Sequence, residues 1–180
     1  MKTFISILRG INVSGQKKIL MADLKTLYES LGFRDVITYI QSGNVIFKSG
    51  GKGTDEELAK KVEKAIKKKY GFEVPVIIRS NEEIRKIISD SPFRKEKIPE
   101  IKKLHVVFLS EIPDKVHIEG ISKMDFSPDR FHVTGKNIFL HIPDSYAETK
   151  LSNTFFEKKL KVTATTRNWN TVLKLSQLAD

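Results

Sequence analysis

The sequence predicts an α+β protein made by tandem duplication of two ferredoxin-like βαββαβ subdomains. Three observations carry that prediction. Strand-like and helix-like periodicities follow the order β-α-β-β-α-β and then α, and that order runs twice through the 180 residues. Segments also match between the copies. Setting Arg79 on Arg167 aligns "FEVPVIIRSNEEIRKI" with "LKVTATTRNWNTVLKL", and "YIQSGNVIF" aligns with "HVTGKNIFL". Between the copies lies "SPFRKEKIPEIKK", which is charged and holds two prolines. The expected organisation is a first subdomain over 1–90, a linker over 91–103 and a second subdomain over 104–180.

Each element follows from local chemistry. "KTFISIL" is apolar and β-favouring and is bounded by Arg9-Gly10, which predicts a strand. In "MADLKTLYESLGF", Leu24, Leu27, Tyr28 and Leu31 fall at helical spacing and Gly32 stops the helix. "DVITYI" and "NVIFK" flank "QSG", a hairpin signature. The next helix opens on Thr54 with Glu57 three residues later, a capping box, and ends at Gly71. "VPVIIR" is a strand whose Pro75 fits a sheet edge or a strand end. "NEEIRKIIS" is a short helix closed by Ser91-Pro92. The second copy repeats the pattern: strand "KLHVVFL", a short helix in "IPDKVHIEGI", a hairpin turning at Gly135-Lys136, helix "SYAETKLSNTFFEKKL", strand "KVTATT" and helix "NWNTVLKLSQLA".

Right-handed crossovers then set the geometry. The first two strands run parallel and the third inserts between them, antiparallel to both. The loop 9–20 and the turn 41–44 therefore converge at one end of the sheet. Arg79, and Arg167 in the second copy, fall at the opposite end.

Composition limits the chemistry. With no Cys, thiol catalysis, disulfides and thiolate metal sites are excluded. "MKTFISILRG" lacks a signal-peptide core, and no stretch approaches the roughly 18 apolar residues of a membrane span, so a cytoplasmic protein without a membrane partner is expected. The net charge of +10 favours polyanions, and the densest basic block is Lys60, Lys61, Lys64, Lys67, Lys68 and Lys69. These lysines oppose an apolar stripe without interleaved aromatics, as on a solvated helix face. Nucleic-acid binding through this helix is the alternative.

"GINVSGQK" has the glycine spacing of a nucleotide-triphosphate loop. Gln16 and Lys17 stand where the phosphate-binding Lys and the Mg²⁺-binding hydroxyl belong, which excludes that chemistry. What remains is a long βα loop: a binding loop with Arg9 as an anion fork, or a bend in which the glycines turn the chain while Ile11 and Val13 plug the core. "QSGN" is chiefly a tight turn, promoted by its expected nearness to Arg9 and Asn12. In "TTRNWNT", Asn168 suits a helix N-cap, Trp169 packs or forms a wall, and Arg167, ending a buried strand, requires a partner. His132 and His141 share a sheet face with Arg130 and Phe139, opposite Phe131, Val133, Ile138 and Leu140. His105 is placed to join them, yet with Arg130 beside them and no carboxylate to orient them no metal site is expected. No cofactor motif is present.

"RGINVSG", "MADLKTLYESLGF", "TYIQSGNVIF" and "TTRNWNTVLKL" together resemble the bacterial domain-of-unknown-function family 1697 over the whole chain. The resemblance implies a cytoplasmic pair of ferredoxin-like subdomains and carries no activity, cofactor or catalytic residue. Its signature positions map onto Arg9, Gly10, Asn12, Gly15, Ser42, Gly43, Asn44, Arg167, Asn168, Trp169 and Thr171. The family's first motif usually has Gly where this chain has Ser14.

The expected function is binding of a small anionic or nucleotide-like ligand in a pocket between the subdomains, by Arg9, Asn12, Ser42, Asn44, Arg167, Asn168 and Trp169. A transferase or hydrolase acting on a phosphorylated substrate at the same place is the enzymatic alternative, and it lacks an evident general base. The sequence leaves the oligomeric state open.

Overall fold

A computed structural model describes residues 1–180 except Lys52, Lys97 and Pro99. The element order is β1 (Lys2–Leu8), α1 (Met21–Ser30), β2 (Arg34–Tyr39), β3 (Asn44–Ser49), α2 (Asp55–Tyr70), β4 (Val76–Ser80) and α3 (Asn81–Ser89). Two 3₁₀ turns, Pro92–Lys95 and Ile101–Lys103, lead into β5 (Leu104–Leu109), α4 (Lys115–Ser122), β6 (Arg130–Thr134), β7 (Asn137–His141), α5 (Asn153–Leu160), β8 (Ala164–Asn168) and α6 (Trp169–Ala179). The chain forms two compact units, Met1–Arg85 with Lys174–Asp180, and Lys86–Leu173.

Each unit holds a four-stranded antiparallel sheet, ordered β2-β3-β1-β4 in the first and β6-β7-β5-β8 in the second. This is the duplicated ferredoxin-like arrangement. The copies agree in register: Ile5 lies opposite Arg79 on β4, and Val106 lies opposite Arg167 on β8. β4 is an edge strand and Pro75 lies just before its first residue, two placements that proline tolerates.

In the first unit α1 and α2 cover one sheet face. Leu24, Leu27, Tyr28, Leu58, Val62 and Ile66 pack on Phe4, Leu8, Val45, Phe47, Val76 and Ile78. The aromatic centre is Phe47, with ring centroids of Phe33 at 4.4 Å, Tyr28 at 5.5 Å and Phe4 at 5.7 Å. α2 begins as its sequence dictates. Thr54 Oγ1 accepts from Glu57 N at 3.2 Å, Glu57 Oε2 accepts from Thr54 N at 2.8 Å, and the helix ends on Gly71 at φ 80°. In the second unit Val107, Leu109, Ile138, Leu140 and Ala164 pack against Ile121, Phe156 and Leu160. Its hairpin turns at Gly135-Lys136, with Gly135 at φ 57°, the first central position of a type II′ turn. Among the described residues no helix is long and apolar enough to cross a membrane.

Candidate functional site

The sheet topology predicts that the loop after β1 meets the β2–β3 turn, and the two are joined directly. Leu8 N donates to Gly43 O at 2.9 Å, and Asn12 Nδ2 donates to Gln41 O at 2.9 Å. The approach is close: a Cβ on Gly43 would fall 2.7 Å from Ile11 Cδ1 and 2.9 Å from Leu8 Cβ. Gly43 also has φ 83°, so both space and backbone demand glycine there.

The long loop is a small finger rather than an open cradle. Val13 and Gln16 form an antiparallel bridge, Gln16 N donates to Val13 O at 2.9 Å, and Asn12 N donates to Lys17 O at 3.2 Å. Ser14 at φ 50° and Gly15 at φ 75° are its two central residues, a type I′ turn. That turn requires positive φ at both positions, which Gly15 adopts freely and Ser14 only at a cost. One expectation changes here. Ile11 is buried as a plug, but Val13 is 57% exposed at the fingertip. Lys17 is tied down, its Nζ donating to Glu73 O at 2.7 Å.

The asparagines among the candidate residues build this end of the sheet. Asn12 Nδ2 also donates to Ile19 O at 3.0 Å, and its Oδ1 accepts from Ile19 N at 2.9 Å, so one side chain joins both ends of the loop to the turn. Asn44 is fully buried, its Nδ2 donating to Tyr39 O at 3.0 Å and Ser42 Oγ at 3.2 Å. Both amides spend their donors on protein acceptors, so neither is poised to donate to a ligand. Arg9 is half-buried at the end of β1, its main-chain N–H donating to Pro75 O at 2.9 Å. Ser42 is half-buried on the neighbouring turn.

In the second unit Arg167 is 8% exposed, and its Nη1 donates to Thr166 O at 2.9 Å and to Thr165 Oγ1 at 3.2 Å. Burial lowers its pKa to about 10, partly offset by the Tyr146 phenol. Arg79, its equivalent in the first copy, is buried likewise, and its pKa is lowered by desolvation against the charges of Glu83, Asp55 and Glu56. Asn168 caps α6 through Oδ1 accepting from Asn170 N at 3.0 Å, while its Nδ2 donates to Lys102 O at 2.7 Å. Trp169 is buried at the start of α6. Arg167 and Asn168 thus spend these bonds on groups of their own unit.

The histidine face needs a correction. Register pairs His105 with Leu140 and Asn168, which sets it on the face opposite His132 and His141, where its ring stacks on Tyr146 at 4.7 Å. A carboxylate does reach the other face. Glu96 pairs with Arg130 at 2.7 Å and 3.2 Å, Arg130 lies over Phe93, and His141 Nδ1 lies 3.2 Å from Arg130 Nη2. Among the described residues no group of three or more His, Asp or Glu is arranged to hold a metal ion.

One feature went unread in the sequence. A cleft of about 260 Å³ in the second unit is lined by Asp125, Ser127 and Asp129 from one segment and Asp144, Glu148 and Thr149 from another. Its carboxylates come from loops about 20 residues apart, so no spacing rule reveals them.

The profile of the family DUF1697, "Protein of unknown function", matches residues 1–139. Among solved structures, the conserved bacterial protein SP0830 from Streptococcus pneumoniae is similar at 25% identity, with a TM-score of 0.77 and 99% of each chain covered. No curated protein matches.

Proposed function

The chain belongs to a family of unknown function, DUF1697, and we propose that it binds a small phosphate-bearing or other anionic ligand at the Arg9 end of the first unit. One observation carries this reading: the density of left-handed backbone around Arg9. Asn12, Ser14, Lys17 and Ile40 are non-glycine residues at φ 46–55°, and Gly10, Gly15 and Gly43 join them. Such conformations cost of order 1–3 kcal/mol each, persist only where surrounding contacts over-determine them, and cluster at ligand clamps. Ile40 is the extreme case, because it is β-branched. Backbone that switches repeatedly between positive and negative φ is also the geometry from which anion-holding N–H concavities are made.

In this reading Arg9 supplies the charge and the fork of donors, and Ser42 a hydroxyl. Asn12 and Asn44 hold the frame. Arg167 stays structural, since exposing a guanidinium that is 8% accessible requires the β8 end to open.

The test is calorimetric titration with inorganic phosphate and with a nucleoside monophosphate. Arg9→Gln should weaken binding about 10–100-fold, as expected for losing a charge-assisted hydrogen bond of roughly 1.5–3 kcal/mol. Arg9→Lys should recover only part, because the fork is lost. No binding of either ligand at millimolar concentration, or equal affinity in a folded Arg9→Gln variant, refutes the reading.

A further inference from the structure

The six lysines of α2 divide into two groups. Lys61 Nζ donates to Leu31 O at 2.7 Å and lies 5.1 Å from the Phe33 ring centre. Lys67 pairs with Glu73 at 2.7 Å, and Lys69 lies 5.4 Å from the Tyr70 ring centre. Lys60, Lys64 and Lys68 are exposed and make no hydrogen bond, ion pair or ring contact among the described residues. Their four-residue spacing stacks them on one helix face, with about 6 Å of rise between neighbours.

Among the described residues no carboxylate of α2 pairs with this row. Glu57 is used in the capping box, and Glu63 Oε1 accepts from Val76 N at 2.8 Å. The charges of Asp55 and Glu56 act on the buried Arg79. Complementing the helix dipole explains Lys68, in the last turn of α2, but not Lys60 or Lys64, because that effect fades within one turn.

We propose that Lys60, Lys64 and Lys68 form a contact row for the phosphate backbone of a nucleic-acid duplex. The row spans about 12 Å on a convex helix surface. A small anion meets one or two of its ammonium groups there, whereas a strand with a phosphate every ~3.4 Å of axial rise neutralises all three. With no aromatic side chain in the row, binding is independent of sequence and sensitive to salt.

The experiment is fluorescence anisotropy of the full chain with a labelled duplex of about 20 base pairs. Three phosphate contacts give a slope of log K against log salt near −2.7, so affinity falls about 40-fold between ~50 and ~200 mM salt. Replacing Lys60, Lys64 and Lys68 together by Gln should flatten that slope. Replacing all three by Arg should keep affinity within about twofold, which separates charge loss from misfolding. Changing Lys115, Lys158 and Lys159 to Gln makes the same charge change in the second unit and should leave binding intact. Absence of binding at ~50 mM salt, or equal losses in the two Gln variants, overturns the proposal. The readouts differ, duplex anisotropy here and calorimetric phosphate titration for the Arg9 site, so failure of one proposal is distinguishable from failure of the other.

Discussion

Asn12→Ala is the sharpest probe of how the Arg9 end is built. The substitution removes three hydrogen bonds. Two of them, to Ile19 O and from Ile19 N, are partly buried, and the third, to Gln41 O, is exposed. Taking about 1 kcal/mol for each partly buried bond and roughly half that for the exposed one gives ~2.5 kcal/mol. Asn12 also sits at φ 55°, where alanine is disfavoured by a further ~1 kcal/mol. The expected loss is therefore about 3–3.5 kcal/mol, read by urea denaturation at 25 °C with the m-value unchanged. Asn12→Gly restores the backbone freedom but not the bonds, so it should recover about 1 kcal/mol. If Asn12→Ala costs less than ~1 kcal/mol, the side chain does not staple the finger to the turn. If Ala and Gly are equally destabilised, the left-handed conformation carries no strain, and the observation behind the proposed ligand site falls.

Ser14→Gly, at the first central position of the type I′ turn, should stabilise the protein by about 0.5–1 kcal/mol, and an unchanged or lower denaturation midpoint contradicts that turn assignment. His105 makes stability pH-dependent. Burial lowers its folded-state pKa, so its stabilisation is complete above the unfolded value of about 6.5 and is lost as pH falls through the folded value. His141 acts in the same sense, through desolvation and then Arg130. His105→Gln should therefore make the decline in stability from about pH 7.5 to 5 shallower without abolishing it, and an identical slope shows that His105 is not the titrating group.

Much of this architecture was written in the sequence because it depends on local chemistry. Thr54 with Glu57 and Gly71 bounds α2, and Pro75 marks an edge strand. The matched strand-Arg-helix segments reveal the duplication, whose register equates Arg79 with Arg167. Chain handedness then brings loop 9–20 to turn 41–44 across about 30 residues of sequence, as Asn12 Nδ2 to Gln41 O records. Tertiary structure alone decided how the polar residues spend their hydrogen bonds. Asn12, Asn44 and Asn168 have the composition of ligand donors, but their partners are main-chain and side-chain groups at positions no periodicity specifies. Strand register, fixed by packing across β5 and β7, put His105 on the face away from His132 and His141. The Ser14-Gly15 turn needed the finger to pair with itself before its φ values had meaning. Pattern determines which residues lie in which element, since burial acts on every residue. Three-dimensional pairing determines which polar groups remain for a ligand, since a hydrogen bond depends on distance and direction between atoms far apart in the chain.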